Sequence, residues 1–145
     1  PYEWFPKSLT AINPATGRYY NGILMIHGLF DSPYVFETLA QFFMSKNFMV
    51  RALLLPGHGT VPGDLKNIHR EKWHQATLFG IKSFKNKVDN LYIAGFSTGG
   101  LLALIHGYSQ AVDGLILFAP AVKLRTQVAV FSSVNNFMTK TIGGI

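Results

Sequence analysis

Hydrophobic positions along the chain fall into short runs separated by polar turns, and two kinds of run alternate. "GILMIHG" (Gly22 to Gly28), "FMVRALLL" (Phe48 to Leu55), "NLYIAGF" (Asn90 to Phe96) and "DGLILFAP" (Asp113 to Pro120) are near-continuous apolar stretches. Such stretches have the form of strands buried on both faces. Between them, apolar residues recur every three or four positions. Ser32 is placed to cap a helix with Pro33 at its first position, and Val35, Leu39, Phe42 and Phe43 repeat at helical spacing until Asn47. A second helix is predicted from about Arg70 to Lys87, with Trp73, Thr77, Gly80 and Phe84 on one stripe and Lys72, Gln75, Lys82 and Lys85 on other faces. Thr98 to Tyr108 reads as a third, nearly all-apolar helix.

Residues 1–21 are irregular and aromatic, and Asn13-Pro14-Ala15-Thr16-Gly17 reads as a turn between two short extended pieces, hence an edge hairpin. Helices between successive buried strands require parallel pairing and right-handed crossovers. The expected fold class is therefore α/β, a three-layer sandwich around a mostly parallel sheet. Residues 1–121 form its core. Residues 122–145 have no clear period and form either the start of a cap or lid, a swapped segment or an irregular tail.

Composition narrows the function. With 48% hydrophobic and 14% charged residues the chain reads as globular, and the low charge suggests that part of what looks like surface is covered. The net charge of +6 comes from Lys and Arg scattered between Lys7 and Lys140, which argues against a nucleic-acid surface. The absence of cysteine excludes disulfides, thiolate metal sites and a Cys nucleophile. Apolar stretches such as Leu101 to Ile105 fall far short of the ~18 residues a membrane span needs. The reading is of a soluble protein, with the cytoplasm favoured over export and the compartment itself left open. Its start at Pro1, without Met or a signal-like head, reads as a processed or trimmed terminus.

In a parallel sheet, ligands collect beyond the carboxyl ends of the strands, where three unusual loops fall. They are His27-Gly28-Leu29, Pro56-Gly57-His58-Gly59 and Gly95-Phe96-Ser97-Thr98-Gly99. Gly-x-Ser-x-Gly between a strand and a helix is the pattern of a nucleophile elbow: the serine sits in a strained turn and small neighbours permit the bend. The helix that follows aims its first amides and positive dipole end at the serine, favouring an oxyanion there. An oxyanion hole needs a second N–H from an earlier loop, so Leu29 and Thr98 are the candidate donors. Gly28, Gly95 and Gly99 are the small residues that flank them.

The blocks "LMIHGLFDSP", "LPGHGTVPGDL" through Trp73, "IAGFSTGG" and "GLILFAPA" together resemble the carboxylesterase and monoacylglycerol lipase branch of the α/β-hydrolases, over roughly Gly22 to Ala121. The resemblance implies a truncated α/β-hydrolase fold, with Ser97 as the nucleophile that attacks an acyl ester. It also implies Leu29 and Thr98 as oxyanion donors, His27 as support of the oxyanion loop, and a lid inserted after the fourth of these strands. The family order is Ser, then acid, then His. Here the only acid after Ser97 is Asp113 and the only histidine is His106, in the reverse order. His106 also lies about 13 Å along the helix from Ser97 at a ~1.5 Å rise per residue, beyond hydrogen-bond reach.

Other residues carry two readings each. His58 either shapes an acyl pocket or is a loop histidine satisfied by backbone. Phe30, Phe96 and Met138 either contact an acyl chain or belong to the core. Asp31 is expected to serve a helix start and Asp113 to be structural. His69 and His74 are five residues apart, unsuited to a shared metal, so no metal site is expected and no cofactor is called for. The function expected is a serine hydrolase of small carboxylic esters working through an acyl-enzyme, with the 145 residues inactive alone because the triad is incomplete. The alternatives are a non-catalytic acyl-ligand binding or interaction module, or a thioesterase or acyltransferase. A free sheet edge favours self-association.

Overall fold

The computed structural model describes residues 2–122. The sequence from residue 123 on, read above as a cap, swapped segment or tail, lies outside the described residues, and Met138 with it. Five strands, β1 (Tyr2–Trp4), β2 (Tyr19–Ile26), β3 (Phe48–Leu53), β4 (Val88–Phe96) and β5 (Gly114–Phe118), form one sheet in the order β1-β3-β2-β4-β5. β2 pairs in parallel with both β3 and β4, β4 pairs in parallel with β5, and β1 runs antiparallel along β3. The helices α1 (Glu37–Ser45), α2 (Arg70–Lys85) and α3 (Thr98–Ser109) connect the parallel strands. This is the mostly parallel three-layer α/β sandwich that the alternation of runs predicts.

The two-residue period of a strand sorts each apolar run onto both faces. Leu24, Ile26, Met49, Leu53, Leu91 and Ile93 pack with Trp73, Ile81 and Phe84 of α2 and Leu102 and Ala103 of α3. Ile23, Met25, Val50, Ala52 and Ala94 face the opposite way, onto Phe36 and Ala40 of the α1 side. Each central strand is thus covered twice, so its sequence shows no polar alternation.

The N-terminal segment differs from the expected hairpin. The turn at Asn13–Gly17 forms, with Asn13 N donating to Arg18 O at 2.7 Å, but its two arms share only the bridge Ile12–Tyr19. β1 instead crosses to the outer edge of β3, because that strand buries a cation. Arg51 is 4% exposed, and Glu3 faces it in register across the pair. Arg51 Nε donates to Glu3 Oε1 at 2.7 Å, Nη1 donates to Ser83 Oγ at 2.8 Å, and the guanidinium lies 4.5 Å from the Phe84 ring centre. A charge in the middle of an apolar run needs a counter-charge, and β1 supplies it.

The α1 stripe is also shifted in phase. Pro33–Phe36 is a 3-10 turn and Ser32 makes no side-chain capping bond. Three residues per turn instead of 3.6 rotate the following helix, so Phe36 and Ala40 are buried while Val35 and Phe42 are exposed.

Candidate active site

β4 ends at Phe96, and the chain turns into α3 through Ser97, whose backbone sits at φ 52° and ψ −114°. L-residues avoid this region, so the turn has to be held from outside. Ser97 N donates to Phe118 O at 2.9 Å, and Ser97 O accepts from Leu101 N and Ala121 N, both at 3.1 Å. The end of β5 and the first turn of α3 thus clamp the serine backbone from both sides. The residue is half-buried.

The flanking glycines are required by contact. A Cβ on Gly95 would lie 2.4 Å from Gly99 O, and one on Gly99 would lie 2.0 Å from Ile26 O and 2.5 Å from His27 O. α3 therefore starts with its backbone pressed onto the backbone of β2 and β4, and side chains at either position would push it away. Gly28 sits at the third close approach: the place of its missing Cβ is 3.0 Å from Phe96 Cδ1 and 3.3 Å from Ser97 Cβ. The His27-Gly28-Leu29 loop thereby lies directly beside the serine. Leu29 is half-buried against the α2 and α3 core, and Thr98 is buried. Among the described residues no main-chain carbonyl accepts from the N–H of either one.

His27 is fully buried and both of its ring nitrogens are used. Leu55 N donates to Nε2 at 3.1 Å, so the ring proton sits on Nδ1 and is donated to Gly28 O at 2.8 Å. The ring pins the loop after β2 to the loop after β3. Burial pushes its pKa down to about 4, a hydrogen bond to the Gly28 carbonyl pulls the other way, and the nearby His58 adds to the lowering. A neutral ring bonded on both sides has no capacity to take the serine proton.

His58 is buried in the Pro-Gly-His-Gly loop, its ring 4.8 Å from His27 and 5.4 Å from Trp73. Its Nδ1 faces Pro56 O at 3.2 Å, and Trp73 Nε1 donates to the same carbonyl at 2.9 Å. Its Nε2 is buried with no partner among the described residues. Burial lowers its pKa, opposed by the carbonyls of Pro56 and Leu55 and by the charge of Asp31.

Phe30 and His58, with Asp31, Thr60 and Leu65, line a cavity of about 110 Å³. Phe96, with Val35, Phe36, Leu39 and Phe118, lines a second, apolar hollow of about 280 Å³ on the α1 side of the sheet. Asp31 also departs from the helix-start role. Its Oδ2 lies 3.2 Å from the missing Cβ of Gly28, the same point that Ser97 Cβ approaches. Asp113 is structural: its Oδ2 accepts from Leu91 N at 2.6 Å, tying β5 to β4. His106 faces away from Ser97 and meets His74 of α2, Nδ1 of His74 to Nε2 of His106 at 2.7 Å. Helical spacing within one segment gave no sign of that pair, because its partners come from different helices.

A parallel sheet with this strand order, crossed by helices on both faces and carrying a glycine-flanked serine at a strand-to-helix turn, defines the class: an α/β-hydrolase fold. The family model for serine aminopeptidase, S33 (Hydrolase_4), matches residues 20–145, and the chain belongs to that family. Over 83 residues it is 28% identical to the thermostable monoacylglycerol lipase of Bacillus sp. (strain H-257), covering 57% of this chain and 33% of that protein. Among solved structures it resembles that of a metagenome-derived lipolytic enzyme (LipS and LipT), with a TM-score of 0.69, 23% identity and coverage of 80% of this chain and 50% of the other. It also resembles the monoacylglycerol lipase of Paleococcus ferrophilus, with a TM-score of 0.66 and 18% identity over 99% of this chain and 52% of that one. At these identities the structural likeness establishes the fold. The chain spans between a third and a half of the length of these relatives.

Proposed function

We propose that this chain supplies the nucleophile and oxyanion donors of a serine hydrolase acting on small carboxylic esters, of carboxylesterase or monoacylglycerol lipase type. The observation that carries the reading is Ser97 held at φ 52° between Gly95 and Gly99, against Gly28 and at the start of α3. In this reading Ser97 Oγ attacks the ester carbonyl and the N–H groups of Leu29 and Thr98 hold the oxyanion. The alcohol leaves, and water then releases the acid from the acyl-enzyme. The first turn of α3 adds its dipole to the same charge. The lipase named among the relatives supports the substrate class.

In the family order the base follows the serine and its acid, and no histidine follows His106 in these 145 residues. His27 is bonded through both nitrogens, His58 is held at Nδ1 in a buried loop, and His106 is paired with His74. The 145 residues alone are therefore expected to give no turnover, whereas the full-length gene product hydrolyses p-nitrophenyl butyrate and is labelled by a fluorophosphonate probe. Ser97→Ala removes both the label and at least about 10³-fold of kcat. Hydrolysis that survives Ser97→Ala refutes the reading. The engagement of these histidines also favours a second reading, an acyl-ligand binding or interaction module without catalysis. Saturable binding of the ester by the full-length product with no turnover and no label would select it. Thioester cleavage and acyl transfer use the same nucleophile and are separated by rates on thioesters and by added alcohol acceptors.

A further inference from the structure

Asp31 brings a negative charge to the serine that neither the fold nor the proposed reaction assigns. Its Oδ2 and Ser97 Cβ approach the same point, at 3.2 and 3.3 Å, which puts them no more than about 6.5 Å apart. Gly28, which has no side chain, leaves that point open, and Phe96 Cδ1 borders it at 3.0 Å. No Lys or Arg pairs with this carboxylate among the described residues, whose ion pairs are made by Glu3, Glu71 and Asp89. Asp31 instead lines the cavity that holds Phe30, His58 and Thr60, and its charge acts on the His58 ring.

From this geometry we infer that Asp31 is a charge filter on the substrate, admitting neutral or cationic esters and rejecting anionic ones. The inference rests on the serine-hydrolase reading and names its substrate class. An unpaired carboxylate this close to a half-buried serine repels a second anion on the ester within about 7 Å of it. The same repulsion acts on the carboxylate product once it leaves the serine, which speeds its release. The chain's overall charge of +6 works in the opposite direction at long range. The discrimination is therefore local and belongs to Asp31.

The test uses the full-length gene product and two acyl groups of similar shape, p-nitrophenyl butyrate (neutral) and p-nitrophenyl hemisuccinate (anionic), at low ionic strength. The wild type is expected to favour the neutral ester in kcat/KM by tenfold or more. Asp31→Asn should collapse that ratio by about tenfold, mainly by raising the rate on the hemisuccinate, while Asp31→Glu retains it. In the wild type, 1 M salt should narrow the ratio, a readout that needs no variant to fold. Ser97→Ala serves as the control. If Ser97→Ala is inactive and the ratio in Asp31→Asn stays within twofold of wild type, the charge filter is overturned while the serine reading stands. If Ser97→Ala still hydrolyses both esters, the serine reading fails and this inference falls with it.

Discussion

A serine, two glycines and a buried histidine hold the geometry of the site. Gly99 is the least replaceable, because a methyl there would overlap main-chain oxygens that belong to β2 and its loop and have no room to retreat. Gly99→Ala is expected to cost at least about 3 kcal/mol, beyond ordinary overpacking, and to show as loss of soluble expression or of the cooperative thermal transition seen by circular dichroism. His27 gives a pH-dependent contribution. Its pKa falls from 6.5 to about 4 on folding, mainly through burial, so the folded state favours the neutral ring. The contribution is complete above pH 6.5 and is lost as the pH falls from there toward 4, amounting to about 3 kcal/mol. His27→Gln should flatten the difference in urea midpoint between pH 7 and pH 4.5. An unchanged slope would show that the ring is not the titrating group.

Elements were legible in the sequence to the extent that one stretch of chain carried its own signal. The four buried strands and three helices follow from apolar runs and their spacing, because burial on both faces or on one stripe imposes a period. β1 escaped because three residues that make a strand only by pairing with another strand have no period to show. Its reason lies in Arg51, and Glu3→Gln tests it. Burial raises the Glu3 pKa, but the hydrogen bonds from Arg51 and Lys87 outweigh it and hold the carboxyl below its ordinary value. The ion pair thus stabilises the fold above pH 4.5, and the contribution disappears as the pH falls through the lowered pKa. Glu3→Gln leaves the Arg51 charge without its counter-ion and should cost about 2 kcal/mol at pH 7 in chemical denaturation, with the cost fading as the pH falls through the lowered Glu3 pKa.

At the scale of the whole molecule, the unfinished side is the β5 edge. β5 has a neighbour only in β4 among the described residues, and Phe118, Leu104, Ile105 and Tyr108 beside it are exposed. An open strand edge next to apolar side chains templates pairing. The 145-residue chain expressed alone is expected to self-associate, and light scattering at micromolar concentration should give a mass above the 16.1 kDa monomer. A monodisperse monomer would show that the edge is already protected. Among the described residues no helix is long and apolar enough to cross a membrane.

Which stretches are strands and helices, that the sheet is mostly parallel, and that a serine stands between glycines where a strand meets a helix can all be read from the residues alone. These are local facts, set by hydrophobic period and by the steric demands of one turn. Folding alone brings Asp31 near Ser97, has His27 join two loops through both nitrogens, and sets His106 against His74. Each of these depends on residues that are distant in sequence and meet only after the crossovers have placed the strand ends side by side. No periodicity in one segment records what another segment brings to it.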